Sequence, residues 1–281
     1  MNKTCRNVLD IVWYFILFVI IQILMMAVVP MVWDLCKGAT FNVVLKDMKA
    51  GPITLNTAML IIASAVSSVL TLAVFWWRQY NRVSRSYIAG RPWAALLWVV
   101  FLALGTLLPS IYIDDVMSLE LPSSTETVLQ GLMSDRWGYL AVGILAPLVE
   151  EVVFRGAILR TLLKMFDHRW HWIAILISAL IFGGAHGNLP QLVHATLIGL
   201  LLGWMYYRTD SIVPGVVFHW VNNTVIYVIY NLMPQVADSQ NYADIFQGNE
   251  RAVWMSLLFS LCIFLPSLFQ LNLRLKKANQ L

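Results

Sequence analysis

Three short groupings in this sequence combine residue types that can move a proton or stabilise an anion. They are Glu150-Glu151-x-x-x-Arg155, Phe182-x-x-x-His186 and His219-x-x-x-Asn223. A carboxylate beside an imidazole can hold a water molecule and take its proton. A second imidazole and a carboxamide N–H can stabilise the oxyanion that forms when such a water adds to a carbonyl. One glutamate and two histidines also match the three protein ligands of a catalytic zinc, with water in the fourth place. Hydrolysis of a carbonyl compound is therefore the chemistry these residues suit, with the water activated by side chains or by a metal.

The elements that must position them are membrane helices. The chain has 281 residues, of which 59% are hydrophobic and only 12% charged, with a mean hydropathy of +0.72. Soluble domains carry about 25% charged residues, so about half the expected charge is missing. Apolar runs long enough to cross a bilayer recur along the whole length. They predict an all-α, polytopic transmembrane bundle of about eight spans, with a catalytic cavity within the membrane. The spans fall near 8–33, 54–77, 94–113, 138–163, 172–187, 191–207, 213–233 and 252–273. The first run is too long for the apolar core of a signal peptide and lacks a cleavage pattern, so it reads as a retained span.

Tryptophans such as Trp33, Trp76, Trp77, Trp137 and Trp172 fall at the expected edges, as an aromatic belt would place them. Most Lys and Arg outside the spans, from Lys3 and Arg6 to Arg274, Lys276 and Lys277, collect on one side. Lys37, Lys46, Lys49, Arg136 and Arg251 lie on the other. The positive-inside rule then puts both termini in the cytoplasm. Residues 34–53 read as an amphipathic stretch along the interface. Cys5, Cys36 and Cys262 are too scattered for a disulfide framework or a zinc cluster. The net charge of +4 points to anionic lipid rather than nucleic acid.

Within such spans an ionised side chain costs about 2.5–3.5 kcal/mol at the membrane centre. Glu151 and Arg155 are four apart, share a helix face and can neutralise each other. Glu150 points about 100° away and must find a partner on another helix. His219 and Asn223 are likewise four apart. Gly183, Gly184 and Gly187 around His186 permit close backbone approach and suit a helix end that lines a cavity. His186 lies deeper in its span than His219 does, by about 12 Å at 1.5 Å per residue. A short hairpin ending mid-membrane around an aqueous pocket resolves that mismatch. His168 and His171 read as interfacial, His194 as packing, and Asn188 as a cap or lining residue of the short loop.

Taken in order, each on its own span, the three motifs resemble those of the CAAX prenyl protease and bacteriocin-processing family, intramembrane proteases related to the type II CAAX prenyl endopeptidase. The resemblance covers about residues 138–230. It implies that Glu150 and His186 activate water, that His219 and Asn223 hold the oxyanion, and that Glu151, Arg155 and Phe182 give structural support. If zinc is used, its ligands would be Glu150, His186 and His219; the pattern slightly favours metal-free hydrolysis. Residues 1–137 would be helices without signature, 138–233 the catalytic core, and 234–281 a loop with a last span. The implied partners are a peptide or lipid-anchored protein substrate and membrane lipid, in a bacterial inner membrane; oligomeric state has no sequence signal. A non-catalytic immunity or scaffold protein of the same fold is the main alternative. A proton-coupled transporter is the other, disfavoured because the chain has no internal repeat and its polar groups cluster in one half.

Overall fold

Four of the long helices begin at asparagine caps, whose side-chain oxygens accept backbone N–H groups that the first turn leaves free. In the computed structural model, which describes residues 2–43, 55–81, 85–237, 239 and 241–277, Asn2 caps α1 (Lys3–Cys36) and Asn56 caps α2 (Thr57–Trp77). Asn188 caps α8 (Leu189–Thr209) and Asn249 caps α11 (Glu250–Arg274). The other helices are α3 (Arg85–Ala89), α4 (Trp93–Val116), α5 (Ser123–Ser134), α6 (the continuous run 140–163), α7 (His171–Gly184), α9 (Val213–Leu232) and α10 (Pro234–Ala237). No strand occurs among the described residues. Residues 44–53 of the expected interfacial stretch lie outside them.

The eight long elements coincide with the expected spans, and among the described residues α1, α2, α4, α8 and α11 are each long and apolar enough to cross a membrane by themselves. The other three carry the motifs. At 1.5 Å per residue, α7 with its 14 residues reaches about 21 Å, short of the roughly 30 Å hydrocarbon core. It turns back through residues 185–188 into α8, so the two form a hairpin. Gly183 allows that hairpin to close: a Cβ there would stand 2.6 Å from the Leu192 carbonyl oxygen.

The middle of the bundle is α6, and its irregularity starts at Pro147. Proline has no N–H to return to the preceding turn, and its ring crowds the carbonyl four residues back. The helix widens there. The Ala146 N–H bonds to the carbonyl of Ala141, and Leu140–Leu145 forms a π-helix, followed by α-helical Ala146–Glu150. A second π segment, Glu151–Leu159, has every residue buried, and Arg160–Leu163 returns to α. π turns of this kind tend to occur at functional sites. Around α6 pack the α7–α8 hairpin, the α1–α2 pair and α9, while α4 pairs with α11. Together these make a helical integral membrane protein.

Candidate active site

The fully buried ion pair at the centre of α6 orders the site. Arg155 Nη1 lies 2.7 Å from Glu151 Oε1, with both side chains essentially inaccessible. The i,i+4 spacing survives the π turn. The guanidinium also lies over the face of Phe182, 4.3 Å from the ring centroid, and Arg155 Nη2 approaches the Gly199 carbonyl at 3.5 Å. Phe182 meets the rings of His186 and His219 edge-on, at 5.3 and 5.9 Å between centroids. One aromatic ring thus supports a buried cation and both imidazoles.

His219, buried on α9, sits between the two glutamates. Its Nε2 is 3.6 Å from Glu150 Oε2 and its Nδ1 is 3.5 Å from Glu151 Oε1. Both separations exceed a tight hydrogen bond. Glu151 therefore does more than neutralise Arg155: the same oxygen faces an imidazole nitrogen. Space for this arrangement depends on Gly215, where a Cβ would come 2.4 Å from Glu151 Oε2.

Asn223, one turn after His219, donates from Nδ2 to the Val142 carbonyl oxygen at 2.9 Å. In the i→i+5 register of the π segment, the donor opposite Val142 would be residue 147, a proline without an N–H. The carboxamide fills that gap and ties α9 to α6.

Glu150 and His186 line one cavity of about 250 Å³. His219 and Asn223 stand behind its wall, His219 against Glu150 and Asn223 against Val142, both of which face the space. His186 lies just past the end of α7 in the hairpin turn. Its Nδ1 is 3.1 Å from the Phe182 carbonyl, which leaves Nε2 as the ring nitrogen for the cavity. Asn188 fixes that turn from both sides, accepting from Gln191 N while its Nδ2 donates to the His186 carbonyl.

The first helices, which carry no motif, close the cavity with Phe18 and Gln22 of α1 and Ser64 and Ser68 of α2. Ser67 donates to Gln22 Oε1 at 2.8 Å and joins the two helices. A signal for this was present: Ser64, Ser67, Ser68 and Thr71 follow helical spacing in an otherwise apolar span. His194 is remote from the cavity, its Nδ1 3.6 Å from Asp114 Oδ2. No three His, Cys, Asp or Glu side chains among the described residues are placed to hold a metal ion. As placed, Glu150, His186 and His219 do not fit a zinc.

Residues 133–225, a region containing all three motifs, match the family model described as type II CAAX prenyl endopeptidase Rce1-like. A Bacillus subtilis (strain 168) protein described as "Putative membrane peptidase YdiL" is 30% identical over 111 residues, 40% of this chain and 44% of that protein. An Escherichia coli protein, "Uncharacterized 24.3 kDa protein", is 34% identical over 92 residues, 31% of this chain and 41% of its own. The chain thus spans less than half the length of these curated relatives. No solved structure is a significant match. The motif resemblance is borne out for the matched segment: this is a polytopic membrane protein with an Rce1-like region at 133–225.

Proposed function

We propose that the chain is an intramembrane endopeptidase that cuts a peptide bond in a membrane-associated peptide or lipid-anchored protein. The observation that carries this reading is the pairing of Glu150 and His186 on one cavity inside a helical bundle, with His219 3.6 Å behind the glutamate. Glu150 takes a proton from a water held between it and His186 as the water oxygen adds to the substrate carbonyl. The motif resemblance gives His219 and Asn223 the negative charge that develops on the carbonyl oxygen; both stand behind the cavity wall, so in this role their N–H groups turn from Glu150 and Val142 toward the space. Collapse of the tetrahedral species breaks the C–N bond, and the proton held by Glu150 passes to the leaving nitrogen.

The Glu151–Arg155 pair keeps α6 intact and supports His219. The family description of the matched segment makes a lipidated C-terminal peptide one substrate class, and leader peptides or membrane anchors are others. The Lys and Arg distribution favours both termini in the cytoplasm, and the bacterial sources of the two similar proteins favour a bacterial inner membrane.

The test is Glu150→Gln in the full chain, reconstituted in lipid. The variant should assemble with unchanged thermal stability and show no cleavage, and in cells a precursor should accumulate. Undiminished cleavage of a genuine substrate would end the reading.

A further inference from the structure

Where α6 ends, a pocket of about 390 Å³ opens at the end of the bundle that holds the α7 N-terminus and the α8 C-terminus. Three cations from two segments line it: Arg160 and Lys164 at the end of α6, and Lys277 on the tail after α11. Asp167 and Asp210 also face it, so its carboxylates are outnumbered without counting two imidazoles. The aromatic floor is preset. His171 stacks on Tyr207 with centroids 4.0 Å apart, and His171 Nδ1 is 2.7 Å from the His168 carbonyl. Tyr207 also hydrogen-bonds His168 Nε2.

Lys277 is carried there by a strap. Arg208 on α8 donates to the Asn272 carbonyl at 2.7 Å, to Asn272 Oδ1 at 3.2 Å and to the Leu275 carbonyl at 3.3 Å, binding the end of α11 and its tail to α8.

A second, apolar groove of about 480 Å³ lies beside this pocket, on α7, α8 and α11. It lies between Trp172 of α7, Leu200 and Trp204 of α8, and Leu265, Leu268 and Phe269 of α11. Leu200, Trp204 and Tyr207 fall at i, i+4 and i+7, so the groove and the floor of the basic pocket occupy one face of α8. Exposed Trp170 and Trp172 at the junction mark the level where headgroups meet acyl chains. A cationic socket with an apolar groove next to it on the same helix face has the charge and polarity order of a phospholipid.

The geometry points to a built-in site for one anionic phospholipid, its phosphate among Arg160, Lys164 and Lys277 and an acyl chain along the α7–α8–α11 groove. Basic pockets between transmembrane helices take such headgroups. The site is separate from the Glu150 cavity and does not rest on the peptidase reading.

The full-length protein, delipidated in detergent, would be titrated with phosphatidylglycerol, phosphatidylcholine or inorganic phosphate, followed by thermal unfolding and native mass spectrometry. Phosphatidylglycerol should raise Tm and remain bound as one lipid per chain, while phosphatidylcholine and phosphate should not. Arg160→Gln with Lys277→Gln should weaken retention about thirty-fold, the factor for two basic residues near a membrane surface, with Tm in phosphatidylcholine unchanged. Lys277→Gln alone, at an exposed tail position, gives the same test should the double variant fold poorly. Leu268→Trp, which fills the groove and leaves the charges, should abolish lipid retention. Equal effects of both lipids, the full effect from phosphate alone, or unaltered retention in the charge variants would overturn the assignment.

Discussion

Replacing Glu151 by glutamine removes one charge from a pair that no solvent reaches. Arg155 then has no carboxylate within ion-pair distance, since Glu151 is its one ion-pair partner among the described residues. Breaking a buried pair by removing one partner costs about 3–5 kcal/mol. The lower end applies here, because the guanidinium keeps the Phe182 face at 4.3 Å and the Gly199 carbonyl at 3.5 Å. A loss of about 3 kcal/mol, at roughly 2–4 °C per kcal/mol for a chain of this size, lowers Tm by about 6–12 °C.

Thermal unfolding of the purified protein in detergent, followed by the fluorescence of its 12 tryptophans, measures this directly. A double variant, Glu151→Gln with Arg155→Met, distinguishes charge from shape. With both charges gone the interior has no uncompensated ion, and Tm should recover most of the loss. Unchanged Tm in the single variant, or a double variant less stable than the single, would refute the argument that the pair is held together by mutual neutralisation.

Three further outcomes are expected. Asn223→Ala should lower kcat by about 10²–10³-fold, the cost of an oxyanion donor, with KM nearly unchanged; a change confined to KM in a cleavage assay would remove that role. Pro147→Ala supplies the N–H that the Val142 carbonyl lacks and so competes with Asn223 for it. It should reduce kcat while raising or preserving Tm, and full activity would show that the π turn does not position Asn223. Exhaustive chelation should leave cleavage intact, whereas loss of activity restored by one zinc ion per chain would require the glutamate and two imidazoles to move together into a ligand set.

Much of this arrangement was legible in the sequence, through periodicity. Apolar runs located every long helix, because the cost of exposing polar backbone to lipid leaves helices as the only elements such runs can form. The spacing of Glu151 and Arg155 announced their pair, since angular position along one helix follows from residue number alone. Three motifs on three spans announced the matched segment. The short α7 and its return through residues 185–188 followed from the depth mismatch between His186 and His219.

Tertiary structure decided what depends on how separate helices register against one another. That Glu150 and Glu151 both reach His219, from opposite ring nitrogens, follows from the packing of α9 on α6 at Gly215 and not from any spacing within α6. Asn223 goes to Val142 because Pro147 shifts the backbone into a π register and leaves a carbonyl unfilled; the proline was visible, but the carboxamide 81 positions from Val142 that fills the gap was not. The closure of the cavity by Gln22 and the serines of α2 had only a faint sequence trace. Intrahelical geometry is fixed by a repeating rotation that residue numbers encode, whereas contacts between helices depend on the shapes of two packed surfaces, which a single chain pattern does not record.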